Sequence, residues 1–270
     1  TVAQNIGEPL NDEYANGICT ISPDGNTMWV QNFYNRDGTV EDGLSVTHRT
    51  DTGWSKPERV YIQDFHNNSE YQDYYISNNG RILILAVERN DSYGDQDLYV
   101  SFLLGENRWS KPRSLGPRVN SPQIEYAPFI APDNLTLFFS SNGHSGNGDS
   151  EIYFSKRLDD SWSYWTEPEP LSEDVNTKGW DGYFTMAANA KYAFFVTDYS
   201  EDDLDEKYPD RDIYSIGYTT EPLPANMLIV KGIVKEKGSS KFVEANIVCN
   251  AKEGQDNVFD VADESSGRYK

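Results

Sequence analysis

The chain has 270 residues, with 23 Lys and Arg against 44 Asp and Glu, for a formal charge of −21. So acidic a surface repels phosphate backbones and anionic membranes, which argues against nucleic acid as a partner. Only 37% of the residues are hydrophobic but 13% are aromatic, so a core is expected to rest on Tyr, Phe and Trp, which bury large areas per side chain.

The chain opens mid-pattern at "TVAQNIGEPL", so upstream residues are expected to have been removed, and whether they held an export signal is left open by the sequence. The first repeat unit starts at "ISPDGNTMWV" (21–30). Here Pro fixes φ, Asp tolerates the tight bend, and an aromatic, β-branched run follows. Its later marks are "GLSVTHR" (43–49) and "WSKP" (54–57). The second unit repeats them as "ISNNGRILIL" (76–85), "DLYVSF" (97–102) and "WSKP" (109–112). The third gives "IAPDNLTLFF" (130–139), "EIYFSKR" (151–157) and "WTEP" (165–168). The fourth gives "MAANAKYAFF" (186–195) and "DIYSIGY" (212–218), then ends at "GYTTEPLP" without a Trp. Pro23, Asn78, Pro132 and Ala188 mark one position, spaced 55, 54 and 56 residues apart.

Three motifs in fixed order at a fixed period define a repeat array. The predicted fold is all-β: a β-propeller of four-stranded antiparallel blades, followed by the start of a β-sandwich. Each blade has two inner strands, a long polar loop, a third strand, and an outer Trp-Ser-Lys-Pro strand, where an edge tolerates Pro. No 12-residue stretch has helical periodicity. "NIGEPLN" (5–11) matches "SLGPRVN" (114–120). The N-terminal segment is therefore placed to supply the outer strand of the last blade, with Gln4-Asn5-Ile6 pairing Asp212–Tyr218. Such pairing closes the ring at four blades; the alternative is that the four belong to a larger ring. The propeller is assigned to 1–222 and the second domain to 223–270. The longest apolar run, "MLIVKGIV" (227–234), is too short for a membrane span and holds a Lys.

No catalytic constellation stands out. Glu125 and Asp181 occupy equivalent first-strand positions that can face a central channel, and a glycosidase needs a juxtaposed carboxylate pair. Repetition alone also explains them. "SPDGNTMW" (22–29) approaches the Asp box of sialidase-like propellers, but one residue short. His48, His66 and His144 have no zinc spacing and no accompanying nucleophile elbow. His144 reads as a polar loop residue. Cys19 and Cys249 match no metal spacing. The loops 90–97, 142–151 and 198–212 are rich in oxygen ligands for calcium, but none has EF-hand order. In the preferred reading Asp97, Glu151 and Asp212 bond local turn amides, and no cofactor is expected. Trp54, Trp109 and Trp165 recur as packing between sheets. Trp180, in "GWDGYF", breaks the repeat.

The motifs "SPDGNTMWV", "APDNLTLFFSSNGHSGNGDSEIYFSKR", "GDQDLYVSF" and "RWSKPRSLG" resemble the WD40-like, Pro-Asp repeats of TolB-type propellers. They are most similar to those of exported OmpA-family envelope proteins of Gram-negative bacteria. In those proteins a carboxypeptidase-regulatory-like sandwich and a peptidoglycan-binding domain commonly follow. Residues 227–270 look like the start of that sandwich, through Gly232-Ile-Val, Ala245-Asn-Ile-Val and Ser266-Gly-Arg-Tyr269. The chain departs from the pattern in its fourth unit, at "MAANAKYAFF" and the swollen loop 198–212, and contains no peptidoglycan-binding domain.

The resemblance implies a periplasmic or outer-membrane-associated scaffold that binds envelope proteins, touches peptidoglycan only through a downstream domain, and catalyses nothing. A secretion or gliding assembly is the implied setting. The residues expected to meet the partner are Trp180, Tyr199, Glu201, Asp202, Asp203, Asp205, Glu206 and Tyr208. Acids speed encounter with a basic surface, and aromatic residues anchor it. The alternatives are a glycan-binding or glycan-hydrolysing propeller, or an inert spacer.

Overall fold

A computed structural model describes residues 6–11, 17–35, 39–146, 149–187, 192–199 and 211–217, and, further on, 232–239, 241–243, 245–249, 258–262 and 268–269. The chain divides into a unit of residues 1–226 and a unit of residues 227–270. The described residues contain strands and turns and no helix.

The first unit is a propeller of four small antiparallel sheets. Blade 1 holds β1 (Ile18–Ile21), β2 (Thr27–Tyr34) and β3 (Val40–Thr50), with β4 (Gly53–Trp54) and β5 (Glu58–Arg59) both on β3. β6 (Tyr61–Ile62) crosses to the next blade. Blade 2 holds β7 (Asp73–Ile76), β8 (Ile82–Val87) and β9 (Asp97–Gly105), with β10 (Arg108–Trp109) and β11 (Arg113–Ser114) on β9 and β6 parallel to β10. Blade 3 is β12 (Glu125–Ile130), β13 (Thr136–Ser141), β14 (Glu151–Lys156) and β15 (Glu169–Pro170). Blade 4 shows β16 (Asp181–Met186), β17 (Tyr192–Thr197) and β18 (Asp212–Gly217). The outer strand differs from expectation in the first two blades. It is broken into two short pieces because the Lys-Pro of "WSKP" interrupts the donor ladder.

The repeat motif sets the inner hairpin. In blade 1 Gly25 N–H donates to Ser22 O at 2.8 Å, and Asp24 accepts from Ser22 Oγ and Asn26 N. Blade 2 repeats this with Ser77, Asn79 and Gly80. In blade 3 Asp133 caps Leu135 N and Thr136 N, both at 2.9 Å. The last turn residue is left-handed in all three, at φ 69° for Gly25, 70° for Gly80 and 54° for Asn134. Asn is the residue other than Gly that tolerates this region best.

Neighbouring blades are joined near the channel. Ile76 N donates to Thr20 Oγ1 at 3.1 Å, Ala127 N to Asp73 Oδ2 at 3.1 Å, and Asp181 N to Ser150 O at 3.0 Å. One apolar cluster runs through blades 2, 3 and 4 and a second through blades 1 and 2. Trp109 and Trp165 are fully buried, as the packing reading of the repeated Trp requires, and Trp54 is half-buried. Phe138 of blade 3 stacks on Phe184 of blade 4 with centroids 4.6 Å apart. Cys19 packs against the second cluster as a free thiol.

The segment expected to be an outer strand takes a different form in its described part. Residues 7–11 make a turn with Asn11 N–H donating to Gly7 O at 3.0 Å, and Leu10 is buried against Met28 and Val30. Among the described residues β18 pairs with β17 alone; Gln4 and Asn5 lie outside them. In the second unit β19 (Gly232–Ile233) pairs with β22 (Arg268–Tyr269), and β20 (Ala245–Cys249) pairs with β21 (Val258–Ala262).

Candidate binding site at the channel mouth

The long loops all leave the blades at one rim, between the second and third strands. The root of the blade 2 loop is held by a buried acid. Asp97, the first residue of β9, accepts from Tyr93 N at 2.8 Å and Gly94 N at 3.3 Å. Burial pushes its carboxyl up to about 6, against the pull of those two amides. This is the local turn bonding expected of Asp97. Among the described residues, no three His, Cys, Asp or Glu side chains gather to hold a metal.

Glu125 and Asp181 hold loops in the same way and do not line the channel as a pair. Glu125 is fully buried and accepts from Ser121 N at 2.8 Å, Ser121 Oγ at 2.6 Å and Ser141 Oγ at 2.7 Å. Asp181, also fully buried, accepts from Thr177 N at 2.6 Å and from Thr177 Oγ1. Both carboxylates are already saturated by their own loops. His144 anchors its loop, with Nε2 2.9 Å from Val119 O and the ring between Phe139 and Tyr153.

Trp180 belongs to a built cluster. Its backbone N–H donates to Asp198 Oδ1 at 2.7 Å, Asp198 N–H returns to Trp180 O at 3.2 Å, and Ser150 bridges to it from blade 3. The indole stacks on Tyr126 at 5.9 Å and 23°, and Tyr183 stands 6.0 Å from it and 6.1 Å from Tyr126. Tyr126 Oη shares a 2.5 Å hydrogen bond with Ser150 Oγ. Gly182 makes room for the indole, since a Cβ there would stand 2.7 Å from Trp180 Cη2. Arg211 lays its guanidinium over Trp180, 3.8 Å from the ring centroid, a favourable cation–π distance.

Tyr183 is 48% exposed and sits at φ 56°. Ala127, its repeat counterpart in blade 3, has φ 47° and gives its N–H to Asp73. Register shifts within β12 and β16 mark both as β-bulges, which re-aim a side chain from the sheet. The left-handed region costs a non-glycine residue about 1–2 kcal/mol. Asp73 is the charged member of this group. Burial raises its carboxyl above the usual range, partly offset by the Ala127 amide. The Tyr183 phenol is pushed up to about 12, by burial first and then by the Asp73 charge, with Arg211 opposing. The mouth thus combines three aromatic rings, a guanidinium and a carboxylate.

Of the residues expected to meet a partner, Trp180 lies in this cluster. Tyr199 stands beside Gly179 and is half-buried. Glu201, Asp202, Asp203, Asp205, Glu206 and Tyr208 lie outside the described residues. Sequence reasoning missed Asp73, Tyr126, Tyr183 and Arg211. The available signal was Tyr183 itself, an aromatic residue at the repeat position filled by Ile18, Asp73 and Ala127 elsewhere.

No protein-family model matches the chain, and no curated protein matches it. Solved structures do. A protein described as TolB from Agrobacterium tumefaciens aligns with a TM-score of 0.44 at 15% identity over 73% of this chain, which spans 59% of that protein's length. The periplasmic gluconolactonase PpgL of Pseudomonas aeruginosa aligns at 0.43 and 12% identity, over 94% of this chain and 68% of its own. An α-L-arabinofuranosidase from Lactobacillus brevis aligns at 0.41 and 12% identity, over 76% and 75%. Likenesses this distant concern the propeller fold alone. The expectation that the chain catalyses nothing is corrected all the same, because the fold gives no ground for excluding catalysis. That expectation rested on a resemblance to non-catalytic propellers, and the matched structures include a glycosidase and a lactonase.

Proposed function

We propose that this propeller is the recognition module of a Gram-negative cell-envelope protein and grips a protein partner at the mouth over blades 3 and 4. The observation that carries this reading is the packed Tyr126–Trp180–Tyr183 cluster with its half-exposed, strained Tyr183. Trp, Tyr and Arg dominate binding hot spots, and ordered aromatic side chains lose little entropy on binding. The acids Glu201, Asp202, Asp203, Asp205 and Glu206 serve encounter with a basic surface, and Tyr199 and Tyr208 flank it. Residues 223–270 begin a carboxypeptidase-regulatory-like domain, and peptidoglycan is reached through a domain further along the parent protein. No cofactor is assigned.

One observation favours a glycan as the second reading. Asp73 and Arg211 flank the rings, and a few convergent polar groups on an aromatic wall suit a hydroxyl-rich ligand. Capture from cross-linked envelopes by wild type, Tyr183→Ala and Trp180→Ala distinguishes the readings. Loss of one protein band in both variants, with melting temperature kept, supports the protein partner. Capture that survives proteolysis of the envelopes supports the glycan. Equal capture by all three refutes the site.

A further inference from the structure

One device recurs at two blade junctions. After the outer strand of blade 2, Leu115 N–H donates to Leu98 O at 3.0 Å and the chain turns, with Asn120 N–H on Gly116 O at 3.0 Å. The Asn120 carboxamide then clasps both backbone groups of Leu98: Oδ1 accepts from Leu98 N at 2.8 Å and Nδ2 donates to Leu98 O at 3.0 Å. Blade 3 repeats every step. Leu171 N–H donates to Ile152 O at 2.9 Å and Asn176 N–H to Ser172 O at 2.8 Å. Asn176 Oδ1 accepts from Ile152 N at 2.8 Å, and Nδ2 donates to Ile152 O at 2.9 Å. Leu98 and Ile152 are each the second residue of a third strand, and both are fully buried.

A third copy of the clasping loop exists without its strand. Ile6-Gly7-Glu8-Pro9-Leu10-Asn11 aligns without gaps on Leu115–Asn120, sharing the Gly and the Asn and keeping an aliphatic residue at the first and fifth positions. It makes the same turn, Asn11 N–H to Gly7 O at 3.0 Å, with a left-handed Gly7 at φ 78° against 89° at Gly116. Leu10 is buried on blade 1, as Val119 and Val175 are buried between their blades. The strand in the matching position is β18, whose second residue is Ile213. Ile213 is 78% exposed where Leu98 and Ile152 are fully buried. Phe194 repeats this: it is 39% exposed, although its counterpart Phe138 stacks on the next blade. This flank of blade 4 carries the chemistry of a blade junction.

We infer that Ile6–Asn11 docks on β18 and closes the propeller within one chain. Ile6 N–H meets Ile213 O, and the Asn11 carboxamide takes the N–H and C=O of Ile213. Closure covers the apolar flank and removes an open sheet edge that would otherwise pair with other chains. A loop and strand on the same chain meet at high effective concentration, so closure in cis outcompetes the same contact between two copies, which would propagate head to tail. The inference does not depend on the proposed function.

The test is a cysteine pair, Asn11→Cys with Ile213→Cys, in full-length protein carrying Cys19→Ser and Cys249→Ser. The Asn120→Cys, Leu98→Cys pair in the same background is the positive control. Mild oxidation should give a faster-migrating, reductant-sensitive monomer for both pairs. Asn11→Ala should also lower the melting temperature about as much as Asn120→Ala. Cross-linked dimers whose yield rises with protein concentration would overturn closure in cis. No cross-link in the test pair while the control pair forms would overturn the clasp itself.

Discussion

Removing the Asn120 carboxamide tests the account of how the blades hold together. Asn120→Ala deletes one acceptor and one donor aimed at Leu98, plus a 3.0 Å bond from Nδ2 to Ser114 Oγ. Leu98 and Asn120 are both buried, so water does not replace the lost partners. Each lost bond costs about 0.5–1.5 kcal/mol net, and an orphaned buried backbone group costs about 1–3 kcal/mol. A loss of about 2–4 kcal/mol follows from the orphaned Leu98 N–H together with the lost bonds from Asn120 Nδ2, while Leu98 O keeps its bond from Leu115 N–H. For a unit of this size about 1 kcal/mol moves the melting temperature by about 2–4 °C, so a drop on the order of 5–15 °C is expected. Differential scanning calorimetry measures it, and hydrogen exchange at the Leu98 amide localises it. Asn120→Asp separates geometry from polarity. It keeps an acceptor for Leu98 N–H, loses the donor and buries a charge, so at neutral pH it should be at least as damaging as Ala. Melting within about 2 °C of wild type, with the Leu98 amide still protected, would refute the clasp as a stabilising element.

Three further outcomes follow from the same structure. The Asp97 carboxyl, at about 6 folded against 3.8 unfolded, binds its proton more tightly in the native state. Its contribution is therefore fully present at low pH and is lost as pH rises through that window. The stability difference between wild type and Asp97→Asn, followed by denaturant titration from pH 3.5 to 7, should shrink or invert in this sense; a flat difference refutes it. Trp165→Ala should destabilise by about 3–5 kcal/mol, and the half-buried Trp54→Ala by less, in thermal melts; equal, small effects would refute the packing role. Tyr183→Gly relieves a left-handed φ worth about 1–2 kcal/mol and should melt no lower than Tyr183→Ala while losing capture of the partner.

The parts of the fold fixed by local chemistry were legible in the sequence. The Pro-Asp and Asn-Asn turns, the alternating third strands and the repeated Trp residues each recur in fixed order, the strands in four units and the turns and Trp in three. What depended on two units lying side by side was not legible. Glu125 looked like a channel residue. Only the register placing it opposite Ser141, together with the backward reach of Ser121, shows that its carboxylate is consumed within the blade. Asp73 carried no mark in the sequence because its partner is the Ala127 amide of the following blade. The match of residues 5–11 to 114–120 was visible, but it was assigned to a strand. The structure shows residues 7–11 and 116–120 making the same turn, and at 114–120 the working group is the Asn120 carboxamide.

The strained residues of the inner strands point back to function. At Ala127 the left-handed bulge serves a structural end, because it aims an amide at Asp73 and ties blade 3 to blade 2. At Tyr183 the same bulge holds a large side chain that is 48% exposed, where glycine would be free of strain and Ala would suffice for packing. Gly182 beside it gives up its own side chain so that Trp180 can lie against Tyr126. Backbone strain of this kind persists where the surroundings over-determine it, and it concentrates at binding and active sites. The rigid blades supply that over-determination here. An aromatic residue kept at a cost in stability, in a cluster braced by Asp198 and Ser150, is what the proposed recognition role asks for.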